Sequence, residues 1–108
     1  MPTYNKLVRD LIPQIIENDR KTSVTRVLSD SEFAAELKRK LSEEVAEYEE
    51  AATSNERLEE LADLLELVYA AAVLEGADED RLNVVREEKR ALRGGFEGRL
   101  YLVEVQDE

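Results

Sequence analysis

The stretch LSEEVAEYEE, residues 41–50, carries five glutamates in ten positions, and EELADLLELV follows at residues 59–68. Carboxylates grouped in this way can do one kind of work that isolated ones cannot. They can hold a hard divalent cation, and a cation so held can bring phosphoryl oxygens and water together. Other catalytic chemistries are closed to this chain. It has no cysteine and no histidine, which removes thiol nucleophiles, cysteine–zinc sites, histidine-ligated metals and a Ser-His-Asp triad. The remaining catalytic groups are carboxylates, amines, guanidiniums, hydroxyls and a bound ion.

Helical periodicity separates the acidic residues. Each residue of a helix advances about 100° around its axis. On a helix over residues 29–52, Phe33, Leu37, Leu41, Val45 and Tyr48 make one apolar arc. Glu44 falls inside that arc, Glu47 at its border and Glu43 well off it. On the following helix, Leu58, Leu61, Leu64, Leu65, Val68 and Ala72 cluster, and Leu67, Ala71 and Leu74 widen the arc past half the circumference. Glu60 lies within that surface and Asp63 at its margin, while Glu59 and Glu66 take the polar face. Two helices thus each place an acidic i,i+3 pair at or inside an apolar edge. Buried carboxylates are costly unless paired or bound to a cation, and four together repel one another. A divalent ion such as Mg²⁺ relieves both costs. The competing reading is a solvated acidic helix, in a chain that is 38% charged and rich in a good helix former.

The elements that must carry these residues are marked by their ends. Leu7, Val8, Leu11, Ile12, Ile15 and Ile16 recur at helical spacing, with Pro13 either starting a helix or kinking one. Residues 21–28 are β-branched and mixed, and read as an extended connector or short strand. Ser29 with Glu32 fits a capping box that opens a helix through about Ala52. Thr53 with Glu56 opens the next, which ends near Leu74 before Gly76. Asp78 caps a further helix through about Leu92. Gly94-Gly95 breaks the chain and lacks the GxxxxGK[ST] pattern of a phosphate loop. RLYLVEV, residues 99–105, alternates as a terminal strand would. The expected fold is an all-α helical bundle with a possible short terminal strand, in one domain over residues 1–108.

The ordered motifs resemble a known family. Glu43-Glu44-Val45-Ala46-Glu47 has the form EExxE, and Glu60-Leu61-Ala62-Asp63 the form ExxD, with twelve residues between them. This is similar to the signature of the MazG-like, all-α nucleoside triphosphate pyrophosphohydrolase superfamily. YNKLVRDLIPQII (4–16) and REEKRALRGGFEGRLYL (86–102) resemble the two ends of a small stand-alone subgroup, often named after phosphoribosyl-ATP pyrophosphohydrolase. The likeness therefore covers nearly the whole chain. It implies a metal shell of Glu44, Glu47, Glu60 and Asp63, the same four residues that periodicity selects. Glu43 matches the motif but faces elsewhere. The ion implied is Mg²⁺, with Mn²⁺ as a possible substitute. The reaction implied is hydrolysis of a nucleotide between the α and β phosphates, giving monophosphate and pyrophosphate. Glu43, Glu44 and Glu47 are the candidates to accept the proton of the attacking water, and the residues do not choose among them.

A triphosphate also needs positive donors. The resemblance favours Lys6, Arg9, Lys89 and Arg93 for that role, with Asn83 a candidate for a base or sugar contact. The alternative is that these cations form surface pairs with the many glutamates. The rival functions are phosphoribosyl-ATP hydrolysis in histidine synthesis and a non-catalytic nucleotide-sensing or helical interaction protein. General nucleotide hydrolysis stands first, because the terminal motifs look like the stand-alone subgroup.

The charge of −11 opposes a phosphate backbone, so duplex nucleic acid is not an expected partner. No apolar run approaches the roughly 20 residues that a membrane span needs, and the start has no signal-peptide core. A cytoplasmic protein is expected. The wide apolar surface of the second acidic helix, in so short a chain, calls for a homodimer or homotetramer.

Overall fold

The computed structural model describes residues 3–107, which form four helices and no strand. These are α1 (Ile12–Asn18), α2 (Asp30–Glu50), α3 (Ser54–Leu74) and α4 (Glu79–Arg93). The all-α helical bundle expected from sequence is present. Pro13 lies in the first turn of α1, where its missing N–H would have had no intrahelical partner. It therefore starts that helix and does not kink it.

The long helices begin where side chains can satisfy free backbone donors. Ser29 accepts from the Glu32 N–H, and the Glu32 carboxylate accepts from the Ser29 N–H, completing a capping box. Arg26 clamps the same carboxylate at 2.7 Å. That contact and the Ser29 backbone donor hold the Glu32 pKa down at about 2. Thr53 and Asp78 cap α3 and α4 through the Glu56 and Arg81 N–H groups. Helix α3 ends in two bonds, Gly76 N–H to the Val73 carbonyl and Ala77 N–H to the Ala72 carbonyl, with Gly76 at φ 77°. This is the glycine-terminated helix stop that the sequence indicates.

Only three residues separate α2 from α3, so the two fold back as an antiparallel hairpin. Their packing dominates the molecule, and α4 packs on α3 alone. The seam contains the buried Leu37 and Ala72 and, among charged groups, the buried Glu44. The radius of gyration is 18.6 Å, against about 13 Å for a compact domain of this length, and the molecule measures 68 × 36 × 22 Å. It is an elongated hairpin with extended ends.

The terminal strand expected at 99–105 does not form. Alternation supplies strand propensity, but a strand needs a partner, and no ladder reaches these residues among those described. Leu100, Tyr101, Leu102, Val103 and Val105 stay exposed. Residues 21–28 are likewise without regular structure.

Candidate metal centre

The hairpin brings acidic residues from two helices to one place. Glu44 and Glu47, one turn apart on α2, face Glu60 on α3. One carboxylate oxygen from each lies within 4.8 Å of the others. Burial is graded across the group: Glu44 is 8% exposed, Glu60 half-buried and Glu47 exposed. This order on α2 follows helical periodicity, which puts Glu44 within the apolar arc and Glu47 at its border.

Electrostatically the cluster is unbalanced. Burial, followed by the hydrogen bond that a protonated Glu44 can give Glu60 and by the charges of Glu47 and Asp63, pushes the Glu44 pKa up to about 7. With both carboxylates ionised, the Oε2 atoms of Glu44 and Glu60 are buried and accept no hydrogen bond. Buried acceptors are normally satisfied, and carboxylate oxygens with no donor on the chain are what a hard cation would coordinate. The donor set therefore fits a divalent ion bound by oxygen.

The fourth carboxylate is differently engaged. Asp63 lies one turn beyond Glu60, but its Oδ1 accepts from the Arg9 guanidinium at 2.7 Å. It is close enough to add to the repulsion at Glu44 but lies outside the three-residue group. Glu43 faces away from that group, as its angle indicates, and its carboxylate is 3.9 Å from the Lys6 ammonium. The N-terminal segment thus reaches both flanks of the acidic cluster, Lys6 on the α2 side and Arg9 on the α3 side.

The remaining sequence candidates lie on α4. Lys89 and Arg93 are exposed and Asn83 is half-buried. Because α4 touches only α3, no helix contact within the chain carries these residues onto the α2 side of the cluster. Arg90, beside them, is tied to Glu97. Two cations not singled out from sequence, Arg39 and Lys40, line a shallow cleft with Lys6, Leu7, Glu36 and Glu43. The available signal was the four-residue spacing from Lys40 to Glu44, which puts both on one helix face.

Comparison with known proteins adds a family to this geometry. The family model described as phosphoribosyl-ATP pyrophosphohydrolase matches residues 8–89. The chain belongs to the phosphoribosyl-ATP pyrophosphohydrolase family. The match takes in all four candidate ligands, together with Arg9, Asn83 and Lys89, and it stops before Arg93. Family membership agrees with the all-α hairpin and with the acidic group that it assembles. An uncharacterized protein of Mycolicibacterium smegmatis (strain ATCC 700084 / mc(2)155) is 50% identical over 54 residues, covering 50% of this chain and 55% of the relative. The chain thus matches about half the length of that curated relative. No solved structure matches it.

Proposed function

We propose that this member of the phosphoribosyl-ATP pyrophosphohydrolase family is a divalent-metal-dependent hydrolase that cleaves a nucleotide between its α and β phosphates. The observation that carries the reading is the pair of buried, unpartnered oxygens of Glu44 and Glu60 within a three-carboxylate group. Glu44, Glu47 and Glu60 would hold the ion, Mg²⁺ first and Mn²⁺ as a substitute, with Asp63 joining them once Arg9 releases it. Such an ion, when bound, neutralises phosphate charge and polarises phosphoryl oxygens. The chain's own residues supply the rest. Arg9 and Lys6 sit where phosphates would arrive, and each is held by a carboxylate that a cation could take over. Water adds across the α–β anhydride, its proton passes to a carboxylate among Glu43, Glu44 and Glu47, and pyrophosphate leaves. Lys89, Arg93 and Asn83 complete the substrate contacts in this reading, with α4 of the same or a neighbouring subunit supplying them.

For the substrate, the family match favours phosphoribosyl-ATP over a general nucleoside triphosphate, reversing the order that the terminal motifs alone suggest. General nucleotide hydrolysis is kept as the second reading because the flanks at 4–16 and 86–102 resemble the stand-alone subgroup. The test is pyrophosphate release with Mg²⁺ from a panel containing phosphoribosyl-ATP, canonical and damaged triphosphates. Turnover confined to phosphoribosyl-ATP supports the first reading, and turnover of triphosphates the second. No release from any of them leaves a binding protein.

Assembly belongs to the same proposal. Leu58, Leu61, Leu65 and Val68 form one stripe of α3, and each is 41–66% exposed. A second copy covering this stripe would make the hairpin half of a larger helical bundle. The described residues contain no helix long and apolar enough to cross a membrane.

A further inference from the structure

Lys40 stands out among the cations of α2. It is half-buried, and Glu36, Glu43 and Glu44 all lie within about one turn of it. Yet among the described residues it forms no ion pair, because its neighbours are engaged elsewhere. Glu36 pairs with Arg39 at 3.5 Å and Glu43 with Lys6 at 3.9 Å, while Glu44 faces the acidic cluster. The cleft that these residues line holds three cations, Lys6, Arg39 and Lys40, against two carboxylates, Glu36 and Glu43. In a chain of net charge −11, this is a local positive excess, and it adjoins the carboxylates that fit a divalent ion.

We infer that Lys40, with Lys6 and Arg39, forms the subsite for the pyrophosphate end of the substrate, beside and distinct from the Glu44–Glu47–Glu60 group. The inference rests on the pyrophosphohydrolase reading above and adds residues and an orientation to it. Three features assign the cleft to phosphate and not to the nucleoside. Leu7 is its sole apolar side chain, no aromatic ring lines it for a base to stack on, and its free donor is an ammonium. The Lys6 and Arg39 pairs are long, and their side chains are 54% and 65% exposed, so both can turn to a phosphate without leaving a buried partner. Lys40 needs no release at all. An ion held by the neighbouring carboxylates and an ammonium in this cleft would grip the two ends of the leaving pyrophosphate.

The test uses the full chain with Mg²⁺ and inorganic pyrophosphate, measured by calorimetry, with AMP as the probe of the other end. The variants are Lys40→Ala, Lys40→Arg and, as a control for general charge, Lys38→Ala, an exposed lysine on another face of α2. Loss of one charge-assisted contact should weaken pyrophosphate binding about tenfold or more in Lys40→Ala. Lys40→Arg should recover most of it, and Lys38→Ala and AMP binding should stay near wild type. Far-ultraviolet circular dichroism of Lys40→Ala should match wild type, since alanine keeps the helix. Undiminished pyrophosphate binding in Lys40→Ala overturns the inference, as do equal losses in Lys40→Ala and Lys38→Ala or no pyrophosphate binding by wild type. The outcome is separable from that of the enzyme reading. Lys40-dependent pyrophosphate binding without nucleotide turnover would uphold the subsite and remove the hydrolase. Turnover with Lys40-independent pyrophosphate binding would do the reverse.

Discussion

Glu44 binds its proton more tightly in the folded chain than in the unfolded one, because burial and the facing carboxylates disfavour its charge. The sign of the pH dependence follows. A carboxyl whose pKa rises on folding, from 4.5 to about 7, contributes stability that is fully present below about 4.5. That contribution is lost as pH climbs toward 7. Thermal melts of metal-free protein should therefore show Tm falling over this window from the Glu44 contribution. Glu44→Gln should flatten that part of the curve, and added Mg²⁺ should raise Tm most at the upper end, where the carboxylates are charged. A metal-free Tm profile identical in wild type and Glu44→Gln would remove Glu44 as its source. At this scale much of the site is legible in the sequence. A count of 100° per residue separates Glu44 from Glu43 and puts Glu47 at the border. It could not show that Asp63 is held by Arg9, because that pair spans 54 positions and exists only once the N-terminal segment has been laid across the hairpin.

Helix ends were the most readable elements, since a cap is a local contract between a side chain and a backbone donor a few residues away. Ser29, Thr53, Asp78 and Gly76 all act as their types predict. Gly76 offers a clean test. Nothing lies within 4 Å of the position a Cβ would take, so Gly76→Ala meets no steric neighbour and is penalised through its φ of 77° alone. Urea denaturation should register a loss of about 1 kcal/mol. A neutral result would mean that the α3–α4 turn relaxes freely. The terminal segment does not become the strand its alternation suggests, because strand formation is not local. The alternation at 99–105 is present in the sequence, but the described chain provides no second strand beside it.

The whole molecule is longer and more open than its composition suggests. A width of more than half the circumference of α3 is apolar, but the hairpin covers mainly the side that carries Glu60, Leu64, Leu67 and Ala71. The stripe through Leu58, Leu61, Leu65 and Val68 is left facing solvent. Sequence periodicity showed how wide this surface is but not which part the chain itself would cover. Full burial of such a leucine contributes roughly 1.5–3 kcal/mol, so a stripe of this size would hold two copies together. Sedimentation velocity should find an oligomer for wild type and a shift to monomer for a Leu61→Glu, Leu65→Glu double variant. A wild type that stays monomeric across concentration would contradict assembly through α3.

The hydrolase reading stands or falls with a divalent ion held by the carboxylates of the α2–α3 seam. Titration of Mg²⁺ into wild type and Glu44→Gln, followed by calorimetry, tests it directly. Loss even of a group that only supports a metal ligand commonly weakens metal binding about 10–100-fold, so removing the buried carboxylate itself should cost at least about tenfold. Saturable binding by wild type with such a loss in the variant is the expected result. Equal affinity in the two proteins, or no binding by either, would contradict the metal centre.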